Sequence, residues 1–280
     1  MNYELIDSGN GRRLERFGDY VLDRPDPEVL WQKALPPSRW NEADAIFKDK
    51  WIQNVSMPDK WLMDDGNIKF WVKLSPFKHT GVFPEQAIQW DWINKILKES
   101  SSRGLDVNKY PNVLNLFAYT GIASLFAAKA GAKVTHLDAS RPAITWANEN
   151  RDLNEMQDAP IRWIIDDAIK FTEREIKRGV KYDAIIMDPP VYGHGPAGEV
   201  WDFNKDFPKL LENCRQIISE NPLFVLVNAY AISSSSTTLA NTIQGYFGDL
   251  GGTIENGELT LKESSAGRLL STGIWARWEK

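Results

Sequence analysis

Three carboxylates, each following a short apolar run, carry the chemistry this chain can do: Asp138, Asp167 and Asp188. The last opens the segment Asp188-Pro189-Pro190-Val191-Tyr192. Consecutive prolines fix φ and restrict the residue before each of them, so the segment is a stiff, extended loop. Such a loop aims the Asp188 carboxylate and neighbouring carbonyls at an amino or hydroxyl group, and Tyr192 can stack on a planar ring. The bland alternative is an ordinary Pro-Pro loop. Asp188, Pro189, Pro190 and Tyr192 are therefore the candidate catalytic residues. The glycine-rich stretch 193–199 reads as a flexible flap, with His194 as a general base or simply polar surface.

A second group of residues points to a bound nucleoside. Phe117-Ala118-Tyr119-Thr120-Gly121 lies between an apolar run at 113–116 and an Ala-rich stretch at 122–130. Strand, tight turn and helix form the first half of a nucleotide-binding unit. Only one residue of this turn, Gly121, is glycine, whereas a backbone that approaches a pyrophosphate needs several. The bulky turn disfavours a dinucleotide and admits a phosphate-free nucleoside cofactor such as S-adenosylmethionine. Asp138 follows the next strand, roughly 20 residues after the turn, where a carboxylate accepts both ribose hydroxyls; its alternative is to cap the helix beginning near Arg141. In Asp166-Asp167-Ala168, Asp167 is the choice to accept from an adenine amino group, again with helix capping as the alternative.

These residues need a scaffold that brings strand ends together. Apolar runs at 113–116, 133–137, 161–165, 184–187 and 223–227 alternate with helical stretches at 122–130, 141–153, 168–178, 204–219 and 236–247. The alternation predicts a doubly wound, mostly parallel α/β sheet with the site at the carboxyl ends of its strands. Strands near 253–261 and 272–278 close it as an antiparallel hairpin, in which Arg268 is a solvated surface arginine or faces an anionic acceptor. A helix opens at Pro84 and runs to about Glu99, ended by Ser100-Ser101-Ser102-Arg103-Gly104. Upstream, residues 1–80 are expected to form a small β-rich domain ahead of a catalytic domain at 81–280. In it, residues 20–22 are a strand stopped by Asp23-Arg24-Pro25-Asp26-Pro27, and runs at 61–63 and 68–74 flank a Gly-containing hairpin turn. Seven of the 12 tryptophans lie before residue 93, among them Trp31, Trp40, Trp51, Trp61 and Trp71. They are read as core-filling, with stacking on an aromatic substrate as the alternative.

Composition bounds the partners. With 42% hydrophobic and 25% charged residues the chain is an ordinary globular protein. A formal net charge of −5 argues against wrapping duplex DNA and leaves room for a local groove. The single cysteine, Cys214, excludes an internal disulfide framework. With no membrane-length apolar run, no signal-peptide pattern and no metal-ligand cluster, the expectation is a cytoplasmic protein without a metal.

At these residues the chain resembles the class I S-adenosylmethionine-dependent methyltransferases. More narrowly, it resembles the branch of the large-subunit ribosomal-RNA cytosine-C5 methyltransferases and their relatives. The matching segments are Asn115 to Gly121, His136-Leu137-Asp138-Ala139-Ser140, Trp146-Ala147-Asn148-Glu149-Asn150, Asp167-Ala168 and Asp188-Pro189-Pro190-Val191-Tyr192, preceded by His79-Thr80-Gly81-Val82-Phe83-Pro84-Glu85-Gln86. The resemblance implies a seven-stranded Rossmann-like sheet. It also implies cofactor contacts from Phe117, Ala118, Tyr119, Thr120, Gly121, Asp138, Ala139, Asp167 and Ala168, with Gln86 near the site. The chain departs from the branch where the C5 enzymes carry a nucleophilic cysteine after the fifth strand: Phe224-Val225-Leu226-Val227-Asn228-Ala229-Tyr230 has none. C5 methylation of a pyrimidine needs a thiolate. The expected activity is instead direct transfer from S-adenosylmethionine to a nitrogen (or oxygen), with a nucleobase in RNA such as rRNA as acceptor. The rivals are a small-molecule or protein methyltransferase and a non-catalytic adenosylmethionine-binding protein.

Overall fold

The computed structural model describes residues 1–100 and 110–280. It divides into two compact units, Met1–Gln86 with Thr260–Thr272, and Ala87–Leu259 with Gly273–Lys280.

In the first unit a five-stranded sheet runs in the order β1 (Tyr3–Gly9), β2 (Arg12–Phe17), β3 (Tyr20–Pro25), β4 (Ala45–Phe47) and β5 (Trp51–Gln53), with a short helix α1 (Pro37–Trp40) before β4. The expected hairpin is present as β6 (Trp61–Asp64) paired with β7 (Lys69–Val72). The expected breaker after residue 22 does not stop its strand. β4 pairs with β3 only at Leu22 and Asp23, so Pro25 has no partner on that side and its missing N–H costs nothing. Four of the tryptophans have their indole N–H engaged within the unit: Trp31 donates to Ser8 Oγ (3.0 Å), Trp40 to Asp7 (2.9 Å), Trp51 to the Ser75 carbonyl (2.9 Å) and Trp61 to the Phe17 carbonyl (2.8 Å). Arg268 fits neither earlier reading. It is half-buried, donating to Glu263 (2.6 Å) and to the carbonyls of Ser8 and Gln32 (3.0 Å each).

The core of this unit holds charge. Glu15 is fully buried and accepts from the Tyr3 hydroxyl and from Nε and Nη2 of Arg24, each at 2.8 Å. Burial works against the Glu15 carboxylate, yet Arg13 and Arg24 outweigh it and hold its pKa below the ordinary value. A depressed carboxyl pKa stabilises the fold above the unfolded-state pKa, and that stability is lost as pH falls through the folded value. Glu15→Gln is expected to destabilise the protein by about 3–5 kcal/mol, because two arginines are left beside a neutral amide. It should also flatten the loss of stability on acidification below about pH 4.5, where glutamate ordinarily titrates. Denaturant melts at pH 7 and pH 4 check both.

The second unit is the predicted α/β sheet. The sheet's strands are β8 (Asn112–Leu116), β9 (Lys133–Asp138), β10 (Ile161–Ile165), β11 (Ala184–Met187), β14 (Phe224–Ala229), β15 (Thr253–Lys262) and β16 (Leu269–Glu279), in the spatial order β10-β9-β8-β11-β14-β16-β15, with residues 260–262 and 269–272 of the last two counted in the first unit. The first five are parallel, and β16 runs antiparallel to β14. Strands buried on both faces read as continuous apolar runs, which is why they were visible in the sequence. The helices are α2 (Ala87–Ser100), α3 (Ile122–Lys129), α4 (Arg141–Leu153), α5 (Ala168–Arg178), α6 (Phe203–Ile217) and α7 (Ser236–Phe247). A short hairpin, β12 (Tyr192–His194) with β13 (Val200–Asp202), lies between β11 and α6. The helix expected from Pro84 begins as a 3-10 turn, Pro84–Gln86, that belongs to the first unit. Residues 101–104 of its expected stop lie outside the described residues. No helix among the described residues is long and apolar enough to cross a membrane, and none of their acidic, His or Cys side chains group as a metal site.

Candidate active site

Strand register brings the singled-out residues to one edge. Leu116 is level with Leu137 and with Met187, and Asp138 with Ile165. The next residues along β10, β9, β8 and β11 are therefore, in spatial order, Asp166-Asp167, the Asp138 end of β9, Phe117 and Asp188. Most of this edge is half-buried, as a surface that receives a ligand must be: Phe117, Ala118, Tyr119, Asp138, Ala139, Asp167 and Asp188 all fall in that class.

The 117–121 loop is held in an uncommon shape. Phe117 (φ 55°) and Tyr119 (φ 49°) occupy the left-handed region without being glycine. Each such residue costs of order 1–3 kcal/mol and persists only where its surroundings impose it. Here the Ala118 N–H donates to the Leu137 carbonyl (3.0 Å) and the Tyr119 N–H to Asp138 Oδ2 (2.8 Å). Buried Thr120 has its carbonyl fixed by Asn150 Nδ2 (2.9 Å), and Gly121 (φ 83°) packs so tightly that a Cβ would sit 2.9 Å from Ala147 Cβ. The Trp146-Ala147-Asn148-Glu149-Asn150 segment thus braces the loop from α4.

Asp138 is doubly anchored: Oδ2 accepts from Tyr119 and Oδ1 from the Ser140 N–H (2.8 Å). It does not cap α4; Ser140 does, accepting from the Ala143 N–H. Burial raises the Asp138 pKa above its ordinary value, against the lowering effect of those two N–H groups. A pre-aimed, partly dehydrated carboxylate suits a vicinal diol, and the loop beside it lacks the glycines that a pyrophosphate needs. Asp167, by contrast, does cap its helix: Oδ1 accepts from the Lys170 N–H (2.9 Å), with Ala168 buried as the first residue of α5. Gln86 closes the 3-10 turn of the first unit, its N–H donating to the Phe83 carbonyl (3.0 Å).

The Asp-Pro-Pro loop is clamped by two residues that sequence reasoning missed. Buried Trp201 donates from Nε1 to the Pro190 carbonyl (2.6 Å) and packs on Phe117 with ring centroids 4.9 Å apart. The Phe203 N–H donates to the Val191 carbonyl (3.0 Å). Their only sequence signal is an aromatic pair closing a Gly-rich segment. That segment, expected as a flexible flap, contains two paired strands. It is the β12–β13 hairpin, whose turn is closed by Glu199 accepting from the N–H groups of Gly195 and Ala197 (2.9 Å each), with Glu199 ion-paired to Lys170. Tyr192 is 68% exposed and hydrogen-bonded to Asp202 across the hairpin, and His194 is exposed on the same face.

This sheet edge and its Asp-Pro-Pro loop lie within a region shared with known proteins. The sequence profile of the S-adenosylmethionine-dependent methyltransferases matches residues 46–242. The chain belongs to this family. A SAM-dependent methyltransferase of solved structure from Agrobacterium tumefaciens is 40% identical, with a TM-score of 0.94 over 100% of this chain and 90% of that one. Ribosomal RNA large subunit methyltransferase K/L of Shewanella frigidimarina is 31% identical over 169 residues, 60% of this chain and 22% of that protein. The K/L protein of Pseudoalteromonas translucida is 30% identical with the same coverage. The chain thus spans about a fifth of the length of these curated relatives. A candidate SAM-dependent methyltransferase from Streptococcus mutans, 19% identical with a TM-score of 0.71 over 99% of this chain and 74% of that one, shares the fold.

S-adenosylmethionine is the methyl donor from which the family takes its description. The chain's lone thiol, Cys214, is fully buried in α6, and burial pushes its pKa up. Trp201→Phe keeps an aromatic ring against Phe117 but releases the Pro190 carbonyl. It is expected to cost about 1 kcal/mol of stability and to lower kcat roughly tenfold with cofactor affinity unchanged; thermal melts, calorimetry and turnover check this.

Proposed function

We propose that this methyltransferase transfers its methyl group directly to a nitrogen of a nucleobase in RNA, such as ribosomal RNA, in the cytoplasm. The reading is carried by the clamped Asp-Pro-Pro loop level with the 117–121 loop, in a site with no thiol to attack a pyrimidine. The K/L relatives, which are ribosomal RNA methyltransferases, favour RNA as the acceptor. The donor supplies a methyl group already activated on a sulfonium, so the chain's task is to position the acceptor and exclude water. Asp138 and Ala139 hold the ribose, Asp167 and Ala168 the adenine, and Phe117, Ala118, Tyr119, Thr120 and Gly121 line the remainder. Asp188, Pro189 and Pro190 orient the acceptor. The Pro190 carbonyl is already engaged by Trp201, which narrows the polar contacts to the Asp188 carboxylate and the Pro189 carbonyl. Tyr192 stacks on the acceptor ring. A division of labour between residues 1–80 and a catalytic domain at 81–280 belongs to the same reading.

The test is transfer of radiolabelled methyl from S-adenosylmethionine into ribosomal RNA from cells lacking this gene, beside matched protein and metabolite fractions. Label in RNA that nuclease digestion assigns to a base nitrogen supports the proposal. Label confined to protein or metabolites, or to a base carbon, overturns it.

A further inference from the structure

One buried polar group is left over from this site. His136 is fully buried on β9, two residues before Asp138. Its Nδ1 lies 2.9 Å from Ser124 Oγ, and Ser124 Oγ accepts from Asn115 Nδ2 at 2.9 Å. Asn115 and Ser124 are themselves 3% and 0% exposed. Apolar residues would fill these positions more cheaply, since a buried polar group left unpaired costs about 1–3 kcal/mol.

Taken as a donor chain, the Asn115 amide donates to Ser124 and the Ser124 hydroxyl to a bare His136 Nδ1, one of the two tautomers that these contacts allow. The neutral ring then carries its proton on Nε2, which is buried without a partner and lies in a ring tilted against Trp163, centroids 4.6 Å apart. Burial pulls the His136 pKa down to about 3, in keeping with a ring that stays neutral.

The placement of the three residues gives the chain its purpose. Asn115 precedes the 117–121 loop by two residues, Ser124 follows it by three, and His136 stands on the strand that delivers Asp138. The Cε1 edge of His136 is the floor under Gly121: a Cβ there would lie 3.4 Å from it. We propose that Asn115, Ser124 and His136 form a positioning relay that locks the loop backbone and the Asp138 carboxylate at their mutual spacing, so that S-adenosylmethionine affinity depends on it. His136 and Ser124 act through the loop and touch no reacting atom. The inference rests on that loop being the cofactor site, and the experiment keeps the two apart.

Calorimetry with S-adenosylhomocysteine is run on the full chain, His136→Phe, Ser124→Ala and the double variant, beside thermal melts. Failure of the wild type to bind removes the cofactor-site reading itself. With wild-type binding present, each single variant is expected to weaken affinity by about tenfold or more, and the double variant by no more than either single one. Affinities within twofold of wild type, even at a lowered melting temperature, overturn the relay. Weakening that multiplies in the double variant overturns it as well. Should His136→Phe fail to fold, Ser124→Ala and nitrogen-15 NMR of the wild-type histidines still decide: His136 must be the neutral Nε2–H form at pH 7, and an Nδ1–H form or a charged ring sinks the idea.

Discussion

Asp138→Ala is expected to weaken S-adenosylhomocysteine binding by at least about 100-fold while the protein remains folded. Two hydrogen bonds to a charged acceptor are worth about 1.5–3 kcal/mol each, and every 1.4 kcal/mol is about tenfold in affinity. The substitution also removes the acceptor that holds the strained Tyr119 N–H. The same carboxylate gives the binding a pH signature. Its pKa is raised by burial, and only the ionised form accepts from both hydroxyls. Affinity is therefore full above that raised value and declines as pH falls through it, at a higher pH than an ordinary aspartate would give. Calorimetry across an acid series measures both effects. Wild-type-like affinity in the alanine variant would falsify the ribose role.

Asp188→Ala should separate binding from chemistry. The affinity for S-adenosylhomocysteine is expected to stay within about threefold, and methyl transfer to fall by about 100- to 1,000-fold, the loss that follows removal of one pre-aimed polar group. The loop itself should survive, because Pro189, Pro190, the Trp201 indole and the Phe203 N–H hold its shape. Single-turnover transfer and calorimetry on the same preparation give the two numbers. Unimpaired transfer would mean that the acceptor is held elsewhere.

These expectations could be framed largely from sequence because the sheet is written locally. Residues 161–165 and 184–187 are strands, and 141–153, 168–178 and 236–247 are helices, at the bounds their apolar pattern predicts. Caps are local too, which is why Asp167 could be read in advance as a cap or a ligand, and the structure shows the cap. Pro25 was misread as a break because an edge position, harmless to proline, is a property of pairing and not of sequence. Arg268 was misread for a similar reason, since its carboxylate and carbonyl partners include Ser8 and Gln32, far away in the chain. Trp201, Phe203 and the Asn115–Ser124–His136 chain escaped notice because each works only by touching a neighbour on another element. Periodicity reports which face a residue lies on and is silent about what it meets there.

The sealed position of Cys214 has a practical side. Its sulfhydryl is the only one the chain carries, so the native protein should be inert to maleimides and needs no background substitution before labelling. A cysteine introduced at Val200, exposed on the β12–β13 hairpin, would give a single attachment point for a spin label or fluorophore. Such a probe would report directly whether that hairpin shifts when donor or acceptor arrives.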